Sequence, residues 1–327
     1  MSFLKENNLK RERFIPIRGR ALRVPIYFPS ISSIKTNREP FEYFRILKAL
    51  KQSHFLVSAY DIDKSQQKNE FVSALKSNQI DDDAIILMDS GNYEAFWLRD
   101  KSWNINRFNE ILKNAICDIA FCFDNHYPPE DISENAELIR NSCVKSQSII
   151  DSSSVIPIVH CKREDLNKTV IELYRKTNFT IISVPERSLG NGLIARAEAL
   201  VSLRKELNKL DNYIYIHLLG TGNPISLAVF SLAGADSFDG LEWCQTAVNS
   251  EGALLYHFQQ RELIQDDCVF CKDPNLDYES ATLGHNLLFY EKWMRNIQTR
   301  IDSNTGFELL QQYCRADFLS AIGQIFS

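Results

Sequence analysis

What most constrains this chain is an alternation. Short, near-continuous apolar runs recur along it, each followed by a polar residue and then a polar, helix-like stretch. The runs are FLVSAY (55–60), AIILM (84–88), IAFCF (119–123), VIPIV (155–159), FTIISV (179–184) and YIYIHLL (213–219), with SFDGLEW (237–243) a weaker member. Helix-like stretches fall at 41–51, 104–117, 130–150, 164–176, 191–210 and 224–233. Runs that are apolar at successive positions belong to strands covered on both faces, as in parallel sheets. Strand alternating with helix is the α/β pattern, because parallel neighbours need a crossover between them. A further strand near 24–28 brings the count to about eight, which favours a (β/α)8 TIM barrel over an open sheet.

In such a barrel the chemistry sits at the carboxyl ends of the strands. The sequence puts a polar residue there repeatedly: Asp89, Asp124, His160, Glu186, the Gly220–Asn223 turn and Asp239. A single Asp in that place is commonly a loop cap. Three of them converging on one mouth form a candidate site, since paired carboxylates can divide glycosidic chemistry. One attacks the anomeric carbon and the other moves a proton. GTGN (220–223) is too short to mark a phosphate site alone and reads equally as a turn opening a helix at Asn223-Pro224. His126 and Tyr127 follow Asp124, but Pro128-Pro129 beside them reads as an ordinary loop. Glu186 and Arg187 are placed either to contact substrate, with Glu186 the candidate binding residue, or to pair with each other, and His217 reads as a strand-interior packing residue.

No run approaches the ~18 apolar residues of a membrane helix. The start, MSFLKENNLKRERF, lacks the apolar core of a secretory signal. The expectation is a cytoplasmic protein with no membrane partner. Eight cysteines suit a reducing compartment, where most act as small packing residues. Only Cys268 and Cys271 have metal-ligand spacing. With His285 they would supply three ligands of a tetrahedral zinc site; Asp266 is the simplest fourth, with His257 and Cys244 as alternatives. Residues 1–23 hold seven basic side chains against two acidic ones, a net +5 in a chain of −5. Such an arm can track phosphates, or can simply be solvated. No linker interrupts the chain. The expected organisation is a basic arm (1–23), a barrel with catalytic strand ends (24–243), a zinc subdomain (244–300) and a C-terminal helix (301–327), essentially one catalytic domain. Residues 30–40 and 244–284 read as loops, and 285–300 and 306–326 as helices.

Four segments, in order, resemble motifs of the tRNA-guanine transglycosylase family, which exchanges guanine for a 7-deazaguanine base. MDSGNYEAF resembles its T-D-S-G-G-[FY]-Q motif and FCFDN its A-F-D-E segment. IHLLGTGNPISLAVFSLAGADSFDG resembles Y-L-M-G-V-G-x-P-x-D-[IL] running into the nucleophile strand. DDCVFC…GHNLLFYEKWMRNI resembles the C-x-C-x2-C zinc loop and its H-N-L-x-F-Y helix. The resemblance implies a (β/α)8 barrel with a structural Zn2+ near its C-terminus. It implies that Asp239 attacks C1′ to give a covalent glycosyl-enzyme, that Asp89 is the general base, and that Asp124 reads the Watson–Crick edge. It further implies that Ser90 adjoins the base, that Tyr93 and Leu219 sandwich it, and that Gly220 lets the backbone approach closely.

The departures concern substrate. His160 stands where the family usually has a base-reading Gln, and Pro185-Glu186-Arg187 replaces a Gly-Gly-Leu-like stretch. Asp266 stands in place of the first zinc cysteine. After Asp239 the family's arginine-rich anticodon-reading stretch is replaced by GLEWCQTAVNSEGALLYHF, with no Arg until Arg261. That combination resembles the DNA-modifying branch, which inserts 7-cyano-7-deazaguanine into DNA with help from partner proteins. It implies DNA and a free 7-deazaguanine as partners, with tRNA exchange, or a non-catalytic tRNA-binding subunit, as the alternatives.

Overall fold

The computed structural model describes residues 9–150, 153–264 and 267–326. An antiparallel hairpin of β1 (Phe14–Ile17) and β2 (Arg20–Arg23) comes first. The strands β3 (Ile26–Ile31), β4 (His54–Ser58), β5 (Ile85–Asp89), β6 (Ile119–Phe121), β7 (Ser154–Ile156), β8 (Ile181–Pro185), β9 (Tyr215–Leu219) and β10 (Ser237–Gly240) then form one eight-stranded sheet. Its order is β7-β6-β5-β4-β3-β10-β9-β8. Every neighbouring pair is parallel. A parallel bridge between Ile158 and Ser183 joins the two edges, so the sheet is a nearly closed barrel. Helices lie between the strands, as the alternation predicts.

Burial on both faces explains the unbroken apolar runs. In β5, Ile85, Ile86 and Met88 are all fully buried, although successive side chains point to opposite faces. One set fills the barrel and the other meets the helices. Helix Pro224–Ala233 starts where GTGN ends: Asn223 accepts from the Ile225 and Ser226 N–H groups, so this segment is a helix cap.

From residue 9 onward the basic segment is not a free arm, and residues 1–8 lie outside the described residues. Ile15 and Ile17 are buried beneath the barrel among Phe28, Ile119, Phe121 and Ile181, and so plug its floor. Arg18 pairs with Asp83 and Asp118, and Arg20 with Asp83. Arg13 and Arg23 pair with Asp302, and Arg11 donates to the Ser231 carbonyl. These charges are neutralised by the acidic body, at the end of the barrel opposite the candidate site.

The stretch 244–284 is not one loop. It holds a hairpin of β11 (Thr246–Asn249) and β12 (Leu254–His257) and a short helix Val269–Lys272. The long helix runs Tyr278–Asp302, beginning seven residues before 285 because Asp277 caps the Ser280 N–H. It straps the barrel: Tyr290 Oη donates to the Gly222 carbonyl (2.7 Å) and Trp293 Nε1 to the Pro224 carbonyl (2.8 Å). The last segment is two helices, Gly306–Tyr313 and Ala316–Phe326. No helix among the described residues is long and apolar enough to cross a membrane.

Candidate active site

A cavity of about 430 Å3 opens at the carboxyl ends of the strands. That is within the range of small-molecule sites. Asp89, Tyr93, Asp124, His160, Glu186, Leu219, Gly220 and Asp239 all line it. Eight residues scattered over 150 positions of sequence thus converge because each ends, or just follows, a barrel strand.

Asp239, on β10, is 8% exposed. Its Oδ2 accepts from Ser30 Oγ on β3 (2.8 Å), and its Oδ1 from the Gly220 N–H (3.1 Å). His217 Nε2, from β9, faces Oδ1 at 3.2 Å, while its Nδ1 meets Ser237 Oγ at 2.8 Å. The carboxylate is therefore held from both neighbouring strands. Gly220 has φ +72, and a Cβ there would meet open space. Glycine suits the left-handed backbone that aims this N–H at Asp239.

Asp89 ends β5 and accepts from the Gly91 N–H at 3.1 Å. Burial, then the charges of Asp124 and Asp239, push its carboxyl up to about 7. Asp124 is the opposite case. Burial would raise it, but hydrogen bonds and charge from His126 and His160 overcome that and hold it well below the usual carboxylate range. His160 Nε2 lies 2.7 Å and His126 Nε2 3.2 Å from the same oxygen, Oδ2. Ser90 is 1% exposed and donates to Asp124 Oδ1 (2.9 Å), so its hydroxyl orients Asp124 from behind rather than lining the cavity. Two carboxyls thus face one cavity, one poised to exchange a proton near neutrality and one fixed as an anion.

Glu186 does not pair with Arg187. Its Oε1 pairs with Arg196 NH1 on the following helix (2.5 Å) and its Oε2 accepts from Thr221 Oγ1 (3.1 Å), while Arg187 stays exposed at the rim. Two further acids line the cavity that the strand-end pattern misses. Glu94 is buried, accepts from Ser32 and Ser58, and is raised well above the usual range by burial and the charges of Asp61 and Asp89. Glu242 is pushed up to about 7 by burial and the charges of Glu186 and Asp239. Both lie in short helices just past strand ends, so only their position after Asp89 and Asp239 could have flagged them.

A second cluster lies outside the barrel. Cys268, Cys271 and His285 bring ligand atoms within 4.8 Å of one another and could hold a metal ion. The two Sγ atoms are 3.3 Å apart. Tetrahedral zinc with Zn–S near ~2.3 Å has an S–S edge of about 3.8 Å, so a small opening admits it. His285 Nε2 meets the Val248 carbonyl at 2.7 Å, which fixes the tautomer with its lone pair on Nδ1. Asp266 lies outside the described residues. The alternatives are engaged elsewhere: Cys244 is buried against the Leu241 carbonyl, and His257 accepts from the Gln259 N–H. No protein-family profile and no curated protein matches the chain.

Proposed function

We propose that this protein is a base-exchange transglycosylase that replaces guanine in DNA by a 7-deazaguanine, with 7-cyano-7-deazaguanine the favoured base. The observation that carries the reading is the pairing of Asp239 with Asp89 in one cavity: a carboxylate held by three donors or ring nitrogens, and a buried carboxyl raised to about 7.

The steps follow from those environments. An Asp239 oxygen attacks C1′ of the target nucleoside. The C1′–N9 bond breaks, and guanine leaves with its electron pair and takes up a proton, which protonated Asp89 supplies. The product is an ester between Asp239 and C1′. Guanine then departs and the 7-deazaguanine enters. Ionised Asp89 takes its N9 proton, N9 attacks C1′, and the carboxylate of Asp239 is released. Two inversions retain the configuration. Asp124, kept anionic by two imidazoles, accepts from the N1–H and 2-amino group of the base. Tyr93 and Leu219 flank it.

The Cys268, Cys271 and His285 group is assigned a structural Zn2+, which would tie the β11–β12 hairpin to helix Tyr278–Asp302 and supply no step of the reaction. A target base in a duplex must leave the stack before C1′ can enter such a cavity. The lack of any Arg between Asp239 and Arg261 favours DNA over an anticodon loop. The test is an exchange assay with labelled base, run in parallel on duplex DNA and bulk tRNA, with and without proteins encoded beside this one. Label in DNA supports the reading; label in tRNA alone returns the function to the parent family.

A further inference from the structure

The mouth of the cavity carries an aromatic surface that the exchange chemistry does not use. Helix Asn92–Trp97 begins just after Asp89 and ends in Phe96 and Trp97, 44% and 48% exposed, followed by exposed Leu98. These rings are not scattered. From inside the cavity outward, His160 lies 5.2 Å from His126, His126 lies 5.2 Å from Phe96, and Phe96 lies 5.8 Å from Trp97, centroid to centroid. Exposure rises along the series, from side chains of 11% and 10% in the two histidines to nearly half in the last two rings. Tyr127, next to His126, is 78% exposed. A contiguous apolar patch continuous with a polar cavity marks an interaction surface rather than chance exposure.

The charges around it point to the occupant. Lys35 Nζ sits over the Trp97 ring at 5.6 Å and also lines the cavity, as does Arg187. Arg99 follows Leu98. Among the described residues, Lys35, Arg99 and Arg187 form no ion pair, although most arginines of this acidic chain do. Flat exposed rings flanked by unneutralised cations match the needs of unpaired nucleotides. Bases stack on the rings, and the phosphates between them meet the cations. A duplex offers no base faces to such a surface.

We propose that Phe96 and Trp97 form a stacking shelf for an unpaired stretch of DNA strand beside the target nucleotide, with Lys35, Arg99 and Arg187 on its phosphates. This rests on the transglycosylase reading, because it makes the shelf the path into that cavity. The enzyme would then favour single-stranded or locally opened DNA.

The test is fluorescence anisotropy of the full chain with labelled oligothymidylate and with the matching thymidylate–adenylate duplex. Neither contains guanine, so binding is read without base exchange. The single strand is expected to bind at least about tenfold tighter than the duplex. Phe96→Ala and Trp97→Ala should each weaken single-strand binding by about 5-fold to 100-fold. Phe14→Ala, an exposed ring on the floor hairpin, should leave it unchanged. Circular dichroism of each variant reports that it is folded. Equal affinity for strand and duplex, or unchanged single-strand affinity in the two shelf variants, overturns the proposal. So does loss of a protein partner in those variants with oligothymidylate affinity intact. Shelf-dependent binding without guanine exchange would sink the transglycosylase reading and leave the shelf standing. Exchange that persists with shelf-independent binding would sink the shelf alone.

Discussion

The protonation of Asp89 sets the sharpest quantitative consequence. Its carboxyl is pushed up to about 7, first by burial and next by the charge of Asp124. To accept a proton from the incoming base it must be ionised. The ionised fraction is about one half at pH 7 and about one tenth at pH 6, because each unit is a factor of ten. Exchange of a labelled 7-deazaguanine should therefore fall about tenfold per unit below pH 7, where the second step lacks ionised Asp89, and fall again above about pH 8, where the first step lacks protonated Asp89. Asp124→Asn removes the neighbouring charge, which should lower the Asp89 value and move the acid limb to lower pH, whatever it does to the maximal rate. Asp89→Asn should lose about 10²–10⁴ of exchange and the limb with it. The assay is initial-rate incorporation across pH 5.5–9 with a saturating base. A rate flat between pH 6 and 8, or a limb that Asp124→Asn leaves in place, would refute the reasoning.

Three other perturbations test the frame around that site. At Gly91, φ +77, a new Cβ would lie 2.4 Å from Tyr60 Cβ and 2.5 Å from its backbone nitrogen, so Gly91→Ala should cost at least about 2 kcal/mol in denaturant unfolding and disturb the N–H that Asp89 accepts. Arg204 is fully buried, donating to Asp236 (2.6 Å) and to the Gly234 and Ile214 carbonyls, so Arg204→Ala, which strands the carboxylate, should destabilise by about 3–5 kcal/mol. Metal analysis of the purified chain should find about one zinc per molecule, and Cys268→Ser should abolish it; stoichiometric zinc surviving in that variant would remove the Cys268 assignment.

The barrel was legible because a parallel strand covered on both faces leaves a run with no polar interruption. Every such run contributes a strand of the barrel, SFDG included. Other elements left weaker marks. Helix Lys68–Asp81 buries only Phe71, Leu75, Asn78 and Gln79, so its polar sequence has little periodic signal. The hairpin at 14–23 was hidden by its arginines. Its signature was the Arg18-Gly19 pair, both with positive φ, between Ile15 and Ile17 on one side and β2 on the other. At the site, strand-end position found Asp89, Asp124, His160 and Asp239. What they touch was not legible, because the contacts cross between strands. His126 seemed a loop residue beside two prolines yet sits 3.2 Å from Asp124, and His217 seemed packing yet orients Asp239. Glu186 finds Arg196 rather than its neighbour, because the next helix turns back over the strand end.

In the proposed reaction Asp239 becomes covalently joined to a sugar carbon of DNA. The most direct measurement is incubation with guanine-containing DNA and labelled 7-cyano-7-deazaguanine, followed by denaturing electrophoresis and mass spectrometry of the protein. A protein–DNA ester at Asp239, with label entering DNA and both signals lost in Asp239→Ala, is the result this account predicts. Label entering DNA equally in Asp239→Ala, or an adduct mapped to another residue, would contradict it.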